Sequence, residues 1–194
     1  LDMRMDRSSS LTAQEVINTY PEAELLKILY EFGEESHARK IVAKIAKARK
    51  EEEITTTSKL SELIKSSVPY KHSKKNPATK TFQALRIYVN KELEQLEQML
   101  DQAFSCLKVG GRLSIITFHS LEDKIVKNHF QTLAGKKNKN TLPRDIPLTQ
   151  EQINHYNKVV GKIIKPFPTN PSDEEIKENP RARSAKLRVI EKLE

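Results

Sequence analysis

The chain has 194 residues, a formal net charge of +8 and 37% hydrophobic residues, which is typical of one large or two small folded domains. The single cysteine excludes an intrachain disulfide and a paired-cysteine metal site, and no apolar run is long enough to span a membrane, so a cytoplasmic protein without membrane contact is expected. The excess of basic over acidic residues favours a polyanionic partner such as nucleic acid, although many basic proteins bind no nucleic acid.

Residues 11–69 are predicted to form four short helices without a strand. Capping-box patterns that begin helices start at Thr12 and at Thr19, and Gly33 is a suitable helix terminator. A helix over 34–50 combines an apolar stripe at helical period with many basic residues. The basic residues of this helix that we select as RNA contacts are Arg39 and Lys40.

The rest of the chain mixes helices with strands. A strand over 113–118 follows Gly110-Gly111 and is apolar on both faces, as in a buried parallel sheet. The other predicted elements are a long helix or helix pair over 78–107, helices over 122–133 and 149–157, and strands over 159–167 and 186–191. This order resembles the closing half of a doubly wound α/β sheet, into which the helical module is inserted.

His119 and Ser120 stand where the first strand ends and a helix begins. Ligands and reactive groups collect beyond the carboxyl ends of strands in open α/β sheets. Ser120-x-x-Asp123 matches a capping box, which predicts Ser120 as the N-cap without excluding a ligand contact. His119 is either a structural hydrogen-bonding residue or a contact to a substrate, and the pattern leaves both interpretations open.

Asp2, Arg4 and Asp6 place two carboxylates around one guanidinium. In an extended backbone the three share one face, and Arg4 would hold both carboxylates. Such an array of acceptors and donors suits a planar polar substrate such as a nucleobase. The alternative is a solvated charged turn, which the pattern alone favours.

Two further basic segments are candidates for phosphate contact. Arg181 and Arg183 precede the last strand, and arginine suits bidentate phosphate binding; the alternative is a solvated entry to an edge strand. Lys74 and Lys75 lie in a basic linker. The sequence has no HExxH motif and no cluster of cysteine and histidine, so no catalytic metal is predicted.

Five blocks, in this order, closely resemble the MraW/RsmH family of bacterial 16S ribosomal RNA cytosine-N4 methyltransferases. The blocks are Leu1–Asp6, Tyr30–Arg39, Pro77–Ile87, Gly110–Lys127 and Asn179–Ser184. The resemblance implies the C-terminal half of a class I, Rossmann-like methyltransferase sheet with an all-helical insertion domain. Residues 1–10 and 76–194 would belong to the partial methyltransferase domain, and 11–75 to an insertion that recognises RNA.

The resemblance also implies a function and a cofactor. The product would be N4-methylcytidine at the decoding centre of 16S ribosomal RNA within the small ribosomal subunit, and S-adenosyl-L-methionine would be the methyl donor. Most cofactor contacts would lie in an N-terminal part that this chain lacks, so the chain is expected to be inactive by itself. A homodimer is left open.

The residues that the resemblance and the patterns together select fall into two groups. The catalytic candidates are Asp2 and Asp6, because a carboxylate beside the target amine would accept its proton, and His119 and Ser120, which would contact the base or close the pocket. The candidates for RNA contact are Arg4, Arg39, Lys40, Lys74, Lys75, Arg86, Arg181 and Arg183. The alternative function is a non-enzymatic basic module that binds RNA or the ribosome.

Overall fold

The computed structural model describes residues 1–68, 76–136 and 159–194. It divides into two compact units, Leu1–Glu92 and Leu93–Glu194, each built around its own apolar core. The predicted helix 149–157 and the basic residues Lys74 and Lys75 lie outside the described residues.

The first unit is helical throughout its described part. Its core combines apolar residues of every helix with those of the segment before the first one. The helices are α1 (Ala13–Thr19), α2 (Glu22–Glu31), α3 (Ala38–Glu51), α4 (Thr57–Ser67) and α5 (Thr79–Asn90). The four helices predicted over 11–69 are therefore confirmed. Because α5 packs into the same core, the unit continues to Glu92, and the assignment of 11–75 as an insertion stays a prediction.

The helix starts show where local patterns hold. The hydroxyl of Thr12 accepts a hydrogen bond from the Glu15 N–H at the start of α1, as predicted. The second predicted box is wrong, because the Thr19 hydroxyl donates instead to the Glu15 carbonyl. Pro21 is the N-cap of α2 and makes no side-chain cap.

Gly33 follows α2 and is required for close packing. A Cβ at this position would lie 2.8 Å from the Leu29 carbonyl oxygen and 2.9 Å from that of Lys80. Both distances are shorter than a carbon and an oxygen tolerate, so a side chain here would push α2 and α5 apart.

The second unit combines helices with a small sheet. After the left-handed residue Lys91, which separates α5 from α6 and confirms the helix pair, the chain enters its α/β part. The elements are α6 (Glu92–Cys106), β1 (Arg112–Thr117), α7 (Ser120–Leu133), β2 (Gly161–Thr169), α8 (Asp173–Glu178), a 3-10 helix (Pro180–Ser184) and β3 (Lys186–Lys192).

The sheet of the described residues has the order β1-β3-β2, and both pairings are antiparallel. The one described neighbour of β1 is therefore antiparallel, and its place in a buried parallel sheet stays a prediction. Leu113 and Ile115 pack on the core beneath α6 and α7, whereas Ile116 and Phe118 are exposed by 58% and 54%. The strand has apolar residues on both faces in the sequence, but only one of the two faces is covered by described residues.

Candidate functional site

The segment Leu1–Asp6 is tied to the start of α1 by its own backbone. We call its residues 2–6 the Asp2–Asp6 segment. The carbonyls of Leu1 and Asp2 accept hydrogen bonds from the N–H groups of Gln14 and Ala13 at 2.8 and 2.9 Å. The first N–H groups of a helix have no partner within the helix. The segment supplies these partners, so the helix start fixes where Asp2 lies.

Asn90, the last residue of α5, holds the same segment from the other side. Its Nδ2 donates to the Met3 carbonyl at 2.9 Å, and its Oδ1 accepts from the Met5 N–H at 2.7 Å. Met3 has φ 64°, in the left-handed region. Sequence reasoning missed Asn90; its only local signal is an asparagine that ends an apolar helical run.

Arg4 lies at the centre of the segment. Its guanidinium donates to both carboxylate oxygens of Asp2, at 2.6 and 2.9 Å, and to the Ser9 carbonyl at 2.6 Å. The side-chain hydrogen bond from Arg4 lowers the pKa of Asp2 to about 2. Asp2 is therefore ionised at neutral pH and is a weak base.

Asp6 is held differently from Asp2. Its Oδ1 accepts hydrogen bonds from the N–H of Ser8 at 2.9 Å and from the Ser8 hydroxyl at 2.8 Å. These bonds from Ser8 lower the pKa of Asp6. Its Oδ2 accepts none from the described residues, so it is the open carboxylate oxygen of the segment.

Two predictions about this segment are wrong. The backbone is not extended, because Met3 is left-handed and residues 5–8 bend and turn, so Asp2, Arg4 and Asp6 do not lie along one strand face. Arg4 pairs with Asp2 but makes no hydrogen bond to Asp6, whose Oδ1 accepts hydrogen bonds from Ser8 instead. The turn still presents two carboxylates close together in sequence: that of Asp2, which is paired with Arg4 through both oxygens, and that of Asp6, whose Oδ2 is open.

The second unit places His119 and Ser120 at the turn from β1 to α7. His119, not Ser120, is the N-cap: its Nδ1 accepts from the Glu122 N–H at 3.4 Å, and Glu122 accepts in return from the His119 N–H at 3.3 Å. The prediction of Ser120 as N-cap is thus off by one residue. A second interaction engages the ring, since its Nε2 lies 3.1 Å from Oε1 of Glu122.

A buried charged cluster lies one turn further along α7. Asp123 accepts two hydrogen bonds from Arg188, at 2.7 and 3.0 Å, and one from Lys186 at 3.1 Å. The Arg188 guanidinium stacks over the Phe167 ring with its carbon 4.3 Å from the centroid. The cluster ties α7 to β2 and β3 and so fixes the His119 turn. The sequence pattern assigned Asp123 to a capping box and did not predict its pairing with Arg188.

The predicted RNA-binding residues divide into engaged and exposed groups. Arg86 forms a bidentate pair with Glu92 at 2.8 and 2.9 Å, and Arg4 is engaged by Asp2. The other four described candidates are exposed and form no ion pair among the described residues. They are Arg39 and Lys40 on α3, and Arg181 and Arg183 on the 3-10 helix.

The α3 surface carries three more exposed cations, at Lys44, Lys47 and Lys50. Lys40, Lys44 and Lys47 follow a spacing of four and three residues, which places them on one helix face. We call these three residues the α3 lysine row. Arg49 of the same helix is used internally, because it donates to the carbonyls of Ile17 and Tyr20 at the end of α1.

Comparison with known proteins decides the family of the chain. The model of the MraW methylase family matches residues 1–193. The chain belongs to the MraW methylase family. The conclusion drawn from the sequence blocks is thereby confirmed at the level of the family.

Curated relatives of this MraW-family chain share one name, ribosomal RNA small subunit methyltransferase H. The protein from Coxiella burnetii strain RSA 493 is 44% identical over 193 residues, and that from Neorickettsia sennetsu is 46% identical over 193 residues. The protein from Fusobacterium nucleatum subsp. nucleatum is 49% identical over 198 residues. All of this chain is matched, but it spans only 57–60% of the relatives' lengths.

Among its described residues, this MraW-family chain has no glycine-rich turn of the kind that binds nucleotide-like cofactors. Such cofactors are bound by a glycine-rich turn between a strand and a helix, whereas the turn from β1 to α7 is capped by His119 and contains no glycine. An open depression of about 380 Å³ is lined mainly by polar residues of α4 and shares no residue with the Asp2–Asp6 segment. No described helix has the length and apolar character needed to cross a membrane.

Proposed function

We propose that this chain forms the substrate-side part of a methyltransferase that modifies the N4 amine of a cytidine in 16S ribosomal RNA. The observation that carries the proposal is the Asp2–Asp6 segment, which presents an open carboxylate oxygen on a backbone fixed from both sides. Membership of the MraW methylase family and the shared name of the relatives support the reaction class and the RNA substrate. The decoding centre of the small subunit is the proposed location of the cytidine.

The chemistry explains why a carboxylate is needed. The N4 lone pair of cytosine is delocalised into the ring, so the amine is a weak nucleophile. A carboxylate that accepts a hydrogen bond from the amine favours the pyramidal, nucleophilic geometry, and it can receive the proton that the amine loses when it gains a methyl group. Oδ2 of Asp6 is the proposed acceptor, and the Asp2–Arg4 pair holds the turn on which Asp6 lies.

The RNA is proposed to bind along exposed cations of the chain. The α3 lysine row, Arg39, Arg181 and Arg183 would contact phosphates, and Lys74 and Lys75 remain predicted contacts. Arg4 and Arg86 are proposed instead to hold carboxylates in place, because their guanidinium groups are already paired. The target cytidine must be unstacked from the RNA to reach a carboxylate.

His119 and Ser120 are proposed to shape or line the turn at the end of β1, where a base could be contacted. The capping box occupies the ring of His119, so a contact to the base would come from the same residue that begins α7. Burial alone would raise the pKa of Glu122, but the hydrogen bonds from His119 and Phe118 outweigh it and lower that pKa. Glu122 is therefore ionised at neutral pH.

The proposed fold is a larger, Rossmann-like methyltransferase sheet that β1, β3 and β2 close, with α1–α4 as the inserted helical module. The exposed apolar side chains of Ile116 and Phe118 support it, because apolar residues on both faces of a strand normally pack on both sides. S-adenosyl-L-methionine is the proposed methyl donor, as the family implies, with its main contacts outside the residues described here. The proposed ribosomal substrate places the enzyme in the cytoplasm.

A methylation assay with product identification tests the proposal. A full-length enzyme, meaning a protein of the relatives' length that includes this chain, is incubated with labelled S-adenosyl-L-methionine and unmodified small ribosomal subunits. Nucleoside mass spectrometry should find the label in N4-methylcytidine of 16S RNA. Label at another atom would refute N4 of the cytidine as the methylated atom. RNA binding without any methylation would favour the non-enzymatic module.

A further inference from the structure

We propose that Asn90 is a positioning residue for methyl transfer, which sets the backbone of the Asp2–Asp6 segment so that Asp6 presents its open oxygen to the amine. This inference rests on the proposed function of that segment. Asn90 itself is given no contact with substrate. Its role would be exerted entirely through the backbone of Met3 and Met5, which its side chain holds.

The geometry resembles the pairing of a peptide group with a neighbouring strand. The amide of Asn90 donates to the Met3 carbonyl and accepts from the Met5 N–H, so it fixes the residues on both sides of Arg4. Met3 adopts a left-handed backbone conformation, which is unfavourable for any residue other than glycine. External hydrogen bonds are therefore needed to keep this turn in one conformation.

Asn90 connects the backbone of Met3 and Met5 to a well-packed helix, α5. Its Nδ2 also donates to the Arg86 carbonyl one turn earlier in α5, which restrains the side chain. Leu85 and Val89 of α5 are buried in the core of the first unit. A rigid path therefore runs from that core through Asn90 to Met5, and Asp6 is the next residue along the chain.

The chain contains a matched control. Asn18 of α1 makes bonds of the same kinds, but to one residue of a loop. Its Nδ2 donates to the Ile54 carbonyl at 3.0 Å and to the Gln14 carbonyl four residues earlier at 2.8 Å. Its Oδ1 accepts from the Ile54 N–H at 2.9 Å. Asn18 thus fixes a different loop of the same unit with the same chemistry, and that loop carries no proposed catalytic group.

The experiment compares Asn90→Ala with Asn18→Ala in the full-length enzyme. We measure the melting temperature, amide hydrogen exchange of residues 2–6, and kcat and KM with unmodified small ribosomal subunits. Both substitutions should lower the melting temperature to a similar degree. Only Asn90→Ala should accelerate exchange in residues 2–6 and lower kcat, by about 10- to 100-fold, since misplacement by about 1 Å has effects of that size. KM for the RNA should change less than about twofold because no cation is removed.

Three results would overturn the inference. Unchanged exchange in residues 2–6 of Asn90→Ala would show that the side chain does not hold the segment. An equal loss of kcat in Asn18→Ala would assign the effect to general stability. Unchanged kcat with a loosened segment would show that the held geometry is not used in the reaction.

Two further variants of the full-length enzyme, Asp6→Asn and Asp2→Asn, separate this inference from the proposed function. If Asp6→Asn impairs methylation and Asn90→Ala does not, the inference alone fails. If Asp6→Asn and Asp2→Asn both methylate at the unmodified rate, the proposed role of the segment fails, and the positioning role of Asn90 fails with it.

Discussion

Arg188 and Asp123 form a bidentate ion pair inside the second unit, although 65 residues separate them in the chain. Both side chains are nearly buried, Lys186 adds a third hydrogen bond, and the Phe167 ring covers the guanidinium. Arg188 belongs to β3 and Asp123 to α7. The pair therefore fixes the helix that begins at His119 against the sheet.

Removing one partner of this pair should strongly destabilise the protein. We expect Asp123→Ala to lower the free energy of unfolding by about 3–5 kcal/mol, because it leaves the Arg188 charge buried without its partner. Arg112→Ala is the control, since Arg112 pairs with Glu191 in an exposed setting and should cost about 1 kcal/mol or less. Urea unfolding measures the free energy of unfolding of both variants. Equal losses would mean that the buried pair contributes no more to stability than the exposed pair.

The pair should also contribute to the loss of stability in acid. Burial by itself raises the pKa of Asp123, but hydrogen bonds and charge from Arg188 and Lys186 outweigh it, and the net pKa lies below the ordinary value of 3.8. A lowered folded-state pKa stabilises the protein above the unfolded-state pKa, and this stability is lost as the pH falls through the folded value.

The difference in unfolding free energy between the unmodified protein and Asp123→Asn isolates that contribution from other carboxylates. It should be constant above about pH 5 and shrink below about pH 4. Unfolding curves at half-unit intervals from pH 7 to pH 3 provide the measurement. A difference that grows as the pH falls would have the wrong sign for a carboxylate with a lowered pKa.

The α3 lysine row should contribute to RNA affinity by binding phosphates. We expect Lys40→Gln, Lys44→Gln and Lys47→Gln together to weaken binding of 16S RNA by the full-length enzyme. The slope of log affinity against log salt should become less negative by about 0.7–0.9 for each phosphate that a lysine no longer neutralises. Lys59→Gln is the control, because Glu52 already pairs with Lys59. An unchanged slope in the triple variant would mean that the row only keeps the protein soluble.

Local patterns predicted much of the fold because helix caps and apolar periodicity are local. They placed α1 through α4 and the strand after Gly110-Gly111 close to their observed positions. They failed in two places. The Thr19 hydroxyl bonds to the last turn of α1 and does not begin α2, and Asn90 reaches a segment 85 to 87 residues away, which no local pattern reveals.

The candidate site was predictable in its residue types but not in its geometry. Asp2, Arg4 and Asp6 were recognised as a carboxylate and guanidinium array, yet nothing local shows that Arg4 would choose Asp2 or that Ser8 would occupy Asp6. The pairing of Asp123 with Arg188 likewise depends on strand order, which a single sequence does not reveal.

The chain by itself should not bind S-adenosyl-L-methionine tightly. The described residues offer no glycine-rich turn between a strand and a helix, which is where such cofactors bind. Isothermal titration of the 194-residue chain should show no binding at micromolar cofactor, whereas the full-length enzyme should bind under the same conditions. Micromolar affinity of the chain would show that it holds a cofactor site that the described residues do not explain.

The two carboxylates of the segment should respond differently to loss of charge. In Asp6→Asn, the introduced amide must keep its oxygen toward the Ser8 N–H, so its NH2 group takes the place of the open Oδ2. A donor then faces the donor of the substrate amine. We expect the methyl-transfer rate to fall by about a hundredfold to ten-thousandfold, the range typical of a lost general base.

Asp2→Asn should act less directly. The introduced amide can accept one hydrogen bond from Arg4 but opposes the second N–H of the guanidinium with a donor, so the turn loosens while Asp6 keeps its charge. Its rate loss should therefore be smaller than that of Asp6→Asn. RNA affinity should be retained in both variants, because removing a negative charge near RNA does not weaken attraction to phosphate.

Single-turnover methylation with saturating RNA and S-adenosyl-L-methionine separates the chemical step from binding. A larger loss in Asp2→Asn than in Asp6→Asn would assign the acceptor role to Asp2, against the open oxygen seen on Asp6. Because the pKa of Asp2 is about 2 and that of Asp6 is lowered, neither carboxylate should produce an acid limb in the rate between about pH 5 and pH 8. Unmodified rates in both variants would reduce the segment to a structural turn and make His119 the next residue to substitute.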